Sequence, residues 1–434
     1  MPVALIAVAL AIVTAGCAAT AGAASPPPSD GLGPITFAIG SDDISWLTPV
    51  IQKWNQQNPA QAVTPLYLPE AANVQLDQLV ANLQAKSDVY DVIAIDVVWT
   101  AEFASNGWII TLPPGKFDLT SFLGPALSTA MFRNRLYAVP GYSNAHLLFY
   151  RKDILARAHE QPPTTWAQLE SEAKRLTPRY HLAGGYAGTF AQYEGLTVNF
   201  AEAVQSAGGS ILNDSATKVT LDTPQAERGL SFLVDGFRKG WIPRQALTYE
   251  EVSAQDAFAN GQYLFLSDWP DVWAQLGPDP GRTYGVSQIP GLTKPGSASL
   301  GGADLAISAF SQHQQTAMRF IQYLTQPAQQ QMMLEKGSFP PALKALYNEP
   351  ALTRQFPYLP ALYQAISNAR QRPPVTGYDQ ASLVISSQVY QALKGYKTPQ
   401  QALADMQAQL SQVLRDGLAA ADRTGAGQPL ASEY

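Results

Sequence analysis

The 434-residue chain holds a single cysteine, Cys17, so no disulfide or thiolate metal cluster can form within one copy. Its four histidines, at positions 146, 159, 181 and 313, show no His-x-x-x-His spacing, and no metal centre is expected. Charge is sparse. Only 14% of residues are charged, the formal net charge is -6, and Lys and Arg form no runs. That removes the electrostatic case for a nucleic-acid partner. A P-loop, a Gly-x-Gly-x-x-Gly turn after a strand and a Gly-x-Ser-x-Gly elbow are all missing, so no nucleotide cofactor or activated serine is predicted.

Long apolar runs are also lacking. The run Val3–Val13 has the length of a signal-peptide core and is too short to span a bilayer. Thr14-Ala15-Gly16-Cys17 follows it, and small residues before a lone cysteine look like a lipobox, in which the thiol is acylated and becomes the new N-terminus. Thr14 stands where Leu is usual, and no Lys or Arg precedes the apolar run. The expectation is a signal peptide over 1–17 ending in a lipidated Cys17, then a Pro-rich flexible tether over 18–33.

At 434 residues the chain exceeds one compact core and predicts two or more lobes. Residues 35–39, 62–68 and 89–95 read as buried strands. Between them, apolar residues recur at helical spacing at Ile44, Leu47, Ile51 and Trp54, and again near 74–83. Strand–helix alternation of this kind argues for a parallel sheet wrapped by helices. Gly141-Tyr142-Ser143-Asn144 lies between two extended runs and reads as a hinge crossing. Thr165 precedes a helix through Trp166, Leu169, Ala173 and Leu176. Tyr263–Leu266 is a buried strand, and Ala317, Phe320, Ile321 and Leu324 mark another helix. A mainly helical tail follows, with residues 425–434 expected to be disordered.

Three predicted strands end in the same way. Asp42 and Asp43 follow the first, Asp96 with Trp99 follows another, and Asp268 with Trp269 follows a third. Ligands of open α/β sheets sit beyond the strand ends. Carboxylates accept hydrogen bonds from hydroxyls, and an indole face covers the C–H face of a pyranose, so the pattern suits a sugar. The same acids could serve a glycoside-cleaving enzyme, which needs two carboxylates across one bond. Asp96, Glu250, Glu251, Asp268 and Asp271 are the candidates, and the sequence leaves that alternative open.

The ordered motifs resemble the solute-binding proteins of ABC sugar importers, in the maltose- and trehalose-binding branch, and most of all its trehalose-binding lipoproteins. The resemblance spans residues 34–415. It is carried by Asp91 to Ala104 with Gly107-Trp108, by Val139-Pro140 to Leu155, and by Glu194 to Phe200 with Gly208-Gly209. Phe258 to Trp273, Leu300-Gly301-Gly302, Phe339-Pro340, and Arg370-Gln371-Arg372-Pro373 with Tyr378 complete it. It implies an α/β, two-lobe periplasmic-binding-protein-like fold. Each lobe would be a mainly parallel sheet flanked by helices, with the ligand cleft between lobes. The expected division is 34–142 plus 300–352 for the N-terminal lobe and 143–299 plus 353–424 for the C-terminal lobe.

The resemblance further implies that Asp96 and Asn144 hold sugar hydroxyls, with Tyr142 beside them, that Trp269 stacks, and that the Gly301 and Gly302 amides and Arg372 donate. Asn144 stands where an acid is common in relatives. Phe339 joins this set, as do Asp42 or Asp43 and Glu250 or Glu251; which of each pair points inward stays open. A neutral disaccharide, trehalose foremost, would be bound without chemistry or cofactor. The monomeric, lipid-anchored protein would pass it, on the outer face of the cell membrane, to a permease driven by a separate ATPase.

Overall fold

The computed structural model describes residues 31–41, 44–69 and 71–423. The expected signal peptide, Cys17, residues 18–30 of the tether, Asp42, Asp43 and the expected tail lie outside the described residues. The last tether residues are packed rather than free, because the Gly31 carbonyl accepts the Gln315 and Thr316 N–H groups.

Eleven strands follow in order among the described residues: β1 (Ile35–Gly40), β2 (Val63–Leu68), β3 (Val92–Asp96), β4 (Met131–Phe132), β5 (Arg135–Leu136), β6 (Ala138–Ala145), β7 (Leu147–Arg151), β8 (Gly184–Ala187), β9 (Tyr263–Asp268), β10 (Tyr284–Ser287) and β11 (Leu300–Ile307). One sheet has the order β2-β1-β3-β11-β6, a second the order β10-β7-β9-β8, and β4-β5 is a separate ribbon. Strand β1 pairs in parallel with β2 and with β3. Helices Ile44–Gln57 and Ala72–Gln84 are the crossovers that parallel pairing requires. Strand β11 returns from far along the chain and inserts antiparallel between β3 and β6. In the second sheet β8 pairs in parallel with β9, but β7 pairs antiparallel with both β9 and β10, so both sheets are mixed rather than mainly parallel as expected. In β9 every residue is buried, which explains why it is an unbroken apolar run up to its polar end.

Helices Gln314–Leu324 and Pro327–Gly337 pack on the first lobe. Helices Trp166–Arg179 and Glu251–Ala259 flank the second sheet. Thr165 starts the first of these through a capping box with Gln168, in which each residue's side-chain oxygen accepts the other's N–H. Helices Glu194–Ser206, Pro224–Arg238, Tyr378–Leu393 and Pro399–Arg423 pack together in the second lobe.

The chain passes between the sheets at neighbouring points. Gly141–Asn144, expected as a hinge crossing, is instead strand: Tyr142, Ser143 and Asn144 pair with Ala303, Gly302 and Gly301. Ladder hydrogen bonds carry β6 on to Ala145, and the crossing falls at His146. A second crossing lies at Ser299, which bridges Arg370 of a third. Three crossing segments side by side make a narrow, backbone-bonded hinge.

Candidate functional site

The facing ends of the two sheets leave a cleft of about 590 Å³. Asp96 enters from the end of β3, Tyr142 and Asn144 from β6, and Gly301 and Gly302 from β11. Phe339 completes the first-lobe wall, while Glu194, Glu251 and Trp269 stand on the second, with Arg372 between. Nearly the whole set expected from sequence is thus brought together. Glu250 is not among the lining residues. It is exposed at the start of the helix Glu251–Ala259, where its N–H donates to Ser253 Oγ at 2.9 Å. A helix rotates each successive residue by about 100°, so the cap faces solvent and Glu251 faces the cleft. Of that pair, Glu251 is placed to meet a ligand.

The glycines are there for close approach. Gly301 lies opposite Asn144 in the ladder, and a Cβ on it would fall 2.7 Å from Trp269 Cη2 and closer still to Asn144 Oδ1. Gly302 has φ +122°, a conformation open mainly to glycine, and its Cβ position is taken by the Tyr142 carbonyl. The Trp269 indole is therefore seated on a flat strip of backbone. Tyr142 and Phe339 meet edge to face beside it at 5.0 Å.

Arg372 is 2% exposed and anchors the polar floor. Its Nη2 donates to Asp96 Oδ1 at 2.8 Å, and its Nη1 donates to Glu194 Oε1. The Tyr378 hydroxyl donates to the same Glu194 oxygen at 2.5 Å, and Ser382 Oγ donates to the other. Burial pushes the Glu194 carboxyl above the usual range, and the Arg372 charge opposes that shift. The guanidinium so joins a carboxylate of each lobe. Glu102 makes another cross-lobe contact, accepting the Tyr378 N–H at 3.2 Å.

At the far end, Gln255 Nε2 donates to Asp271 Oδ2 at 3.1 Å beside Glu251. Burial pushes Glu251 up to about 7. Asp268 does not line the cleft. It is fully buried, and its Oδ1 accepts the Trp269 N–H at 2.8 Å, so it shapes the strand end that carries the indole. Glu194, Gln255, Gln275 and Lys336 are lining residues that sequence reasoning missed. Glu194 could have been found only as the acid opening the Glu194–Phe200 motif, since acids at helix starts are ordinary. Among the described residues no group of His, Cys, Asp or Glu could hold a metal ion.

Residues 40–331 match the family described as bacterial extracellular solute-binding protein. This chain belongs to that family. A probable ABC transporter-binding protein of Deinococcus radiodurans is 28% identical to this solute-binding protein over 361 residues, covering 80% of this chain and 85% of the relative. The maltose-bound MalE3 structure of T. maritima superimposes with a TM-score of 0.82 at 31% identity, over 88% of this chain and 99% of that one. A solute-binding protein of Thermotoga lettingae bound with α-D-tagatose has a TM-score of 0.80 at 23% identity, covering 88% and 100%, and shares the fold. The chain is thus an extracellular solute-binding protein of the ABC-transporter kind with the two-lobe periplasmic-binding-protein-like fold, and its named relatives are binding proteins.

Proposed function

We propose that this solute-binding protein holds a neutral disaccharide, trehalose foremost, between its lobes and delivers it to a membrane permease served by a separate ATPase. The observation that carries this reading is the pairing of a glycine-seated indole, Trp269, with hydroxyl-binding groups from both lobes around one cleft. About 590 Å³ lies within the range of small-ligand pockets and leaves room for two sugar rings. The buried cation of the floor is already matched by Asp96 and Glu194, so the site makes no demand for an ionic ligand.

In this mechanism Trp269 covers the apolar face of one pyranose. Asp96 and Glu251 accept from hydroxyls, Arg372 donates, and each lobe makes part of the set. Only the closed arrangement satisfies the whole sugar, so the ligand's differential affinity drives closure. The closed lobes would then dock on the permease. Acylation of Cys17 would hold the monomeric protein at the outer face of the cell membrane. The maltose held by the T. maritima structure, at 31% identity, supports a sugar.

Calorimetric titration with trehalose, maltose, sucrose, glucose and maltotriose, each mixture then chromatographed, tests the reading. Saturable binding of trehalose, with the sugar recovered intact, is the expected result. Preference for another disaccharide would change the cargo, and cleavage products would overturn the reading in favour of an enzyme.

A further inference from the structure

A buried pair behind the cleft is not used by the mechanism above. His146, fully buried, is the single residue between β6 and β7, and its Nδ1 lies 3.1 Å from Glu202 Oε2. A carboxylate only accepts, so the imidazole donates here. The other Glu202 oxygen accepts the Ser299 N–H at 2.8 Å, at the crossing just before β11. Ser299 in turn sits beside the third crossing, where Leu300 N–H donates to the Arg370 carbonyl and Arg370 N–H to the Ala298 carbonyl, each at 3.0 Å. One carboxylate on the helix Glu194–Ser206 thus holds two crossings directly and the third through their shared backbone bonds.

The same histidine reaches the ligand wall. Its ring meets the Trp269 ring at a centroid distance of 4.0 Å and an interplanar angle of 68°. Trp269 therefore touches both the imidazole and the Gly301 backbone. Neither His146 nor Glu202 lines the cleft.

We propose that Glu202 and His146 are positioning residues that couple the hinge to the stacking indole. Turning the crossing strands moves His146, and His146 sets the tilt of Trp269, so the angle between lobes and the sugar-stacking face are adjusted together. The helix Glu194–Ser206 carries both this carboxylate and Glu194 of the Arg372 floor, which places hinge and floor on one rigid rod. The binding consequence rests on the sugar reading; the coupling itself does not.

The test uses the full chain with His146→Gln, His146→Leu and Glu202→Gln, each also made with Trp269→Phe. The near-ultraviolet circular dichroism that Trp269 contributes, taken as the difference within each pair, is read first without ligand. His146→Gln retains a donor for Glu202 and is expected to keep that signal; His146→Leu is expected to lose most of it. Affinity for trehalose should fall by about tenfold in His146→Leu and recover in His146→Gln, the scale of coupling between touching residues. If His146→Leu does not fold, Glu202→Gln decides: its amide can keep both contacts only by donating to His146 Nδ1, which moves the ring proton to the buried, unpartnered Nε2, and the same signal should weaken. An unchanged Trp269 signal in a folded His146→Leu or in Glu202→Gln would overturn the proposal. Failure of any sugar to bind would sink the sugar reading and leave the ligand-free signal to judge the coupling.

Discussion

Gly301→Ala should separate the binding surface from the fold. The added methyl would sit 2.7 Å from Trp269 Cη2, closer than side-chain carbons approach, with Asn144 Oδ1 closer still on the other side. Asn144 is fixed by its ladder pairing with Gly301, so relief must come from the two side chains, and both line the cleft. Overpacking of this kind costs about 1–3 kcal/mol. If that cost is borne in the bound state, where the indole cannot swing away from the sugar, Kd rises by about five- to 150-fold. The free protein can release the clash by turning both Trp269 and the Asn144 amide into the open cleft, so the melting temperature should move little. Gly124→Ala is the matched control, since a Cβ there meets nothing within 4 Å. Calorimetry and thermal unfolding of both variants check this. Wild-type affinity in Gly301→Ala would refute the idea that this glycine seats the indole against the ligand.

Trp269→Ala and Asp96→Ala should each weaken sugar binding by about tenfold or more while leaving the far-ultraviolet circular dichroism intact, and normal binding by both would put the site elsewhere. Arg372→Ala should lower the melting temperature as well as the affinity, because it leaves Asp96 and Glu194 facing each other without their cation, a loss of about 3–5 kcal/mol for buried pairs. An unchanged melting temperature would contradict the buried network. Asp304 is fully buried beneath the cleft and burial pushes it up to about 8, with Thr129 donating to it at 2.8 Å. An acid whose folded pKa lies above its unfolded one favours folding while protonated, and that contribution drains away as pH climbs from about 4 towards about 8. Asp304→Asn should therefore flatten the decline in stability over that window, as denaturant titrations across pH would show; an equal decline in both proteins would refute it.

Much of this architecture was readable because buried strands leave apolar runs and amphipathic helices leave a period. Asp96 and Trp269 stood out because an acid, twice with an indole beside it, recurs at three predicted strand ends. The insertion of β11 between β3 and β6 was not visible, since pairing across that sequence distance leaves no local pattern. The hinge was misplaced by a few residues for the same reason. Gly141-Tyr142-Ser143-Asn144 has turn-like composition, and only its partner strand makes it extended. Glu250 and Glu251 differ by one step on a helix whose starting residue the sequence does not mark. Glu194, Glu202 and His146 were passed over because each is ordinary alone; their meaning comes from partners up to 188 residues away, as in the Ser382–Glu194 hydrogen bond.

A crystal structure of the protein grown with trehalose tests the central claim most directly. It should show the sugar between the lobes, with one pyranose face on Trp269 and hydroxyls within hydrogen-bond reach of Asp96, Asn144, Glu251 and Arg372. A sugar bound away from Trp269, or an empty cleft at saturating trehalose, would contradict it.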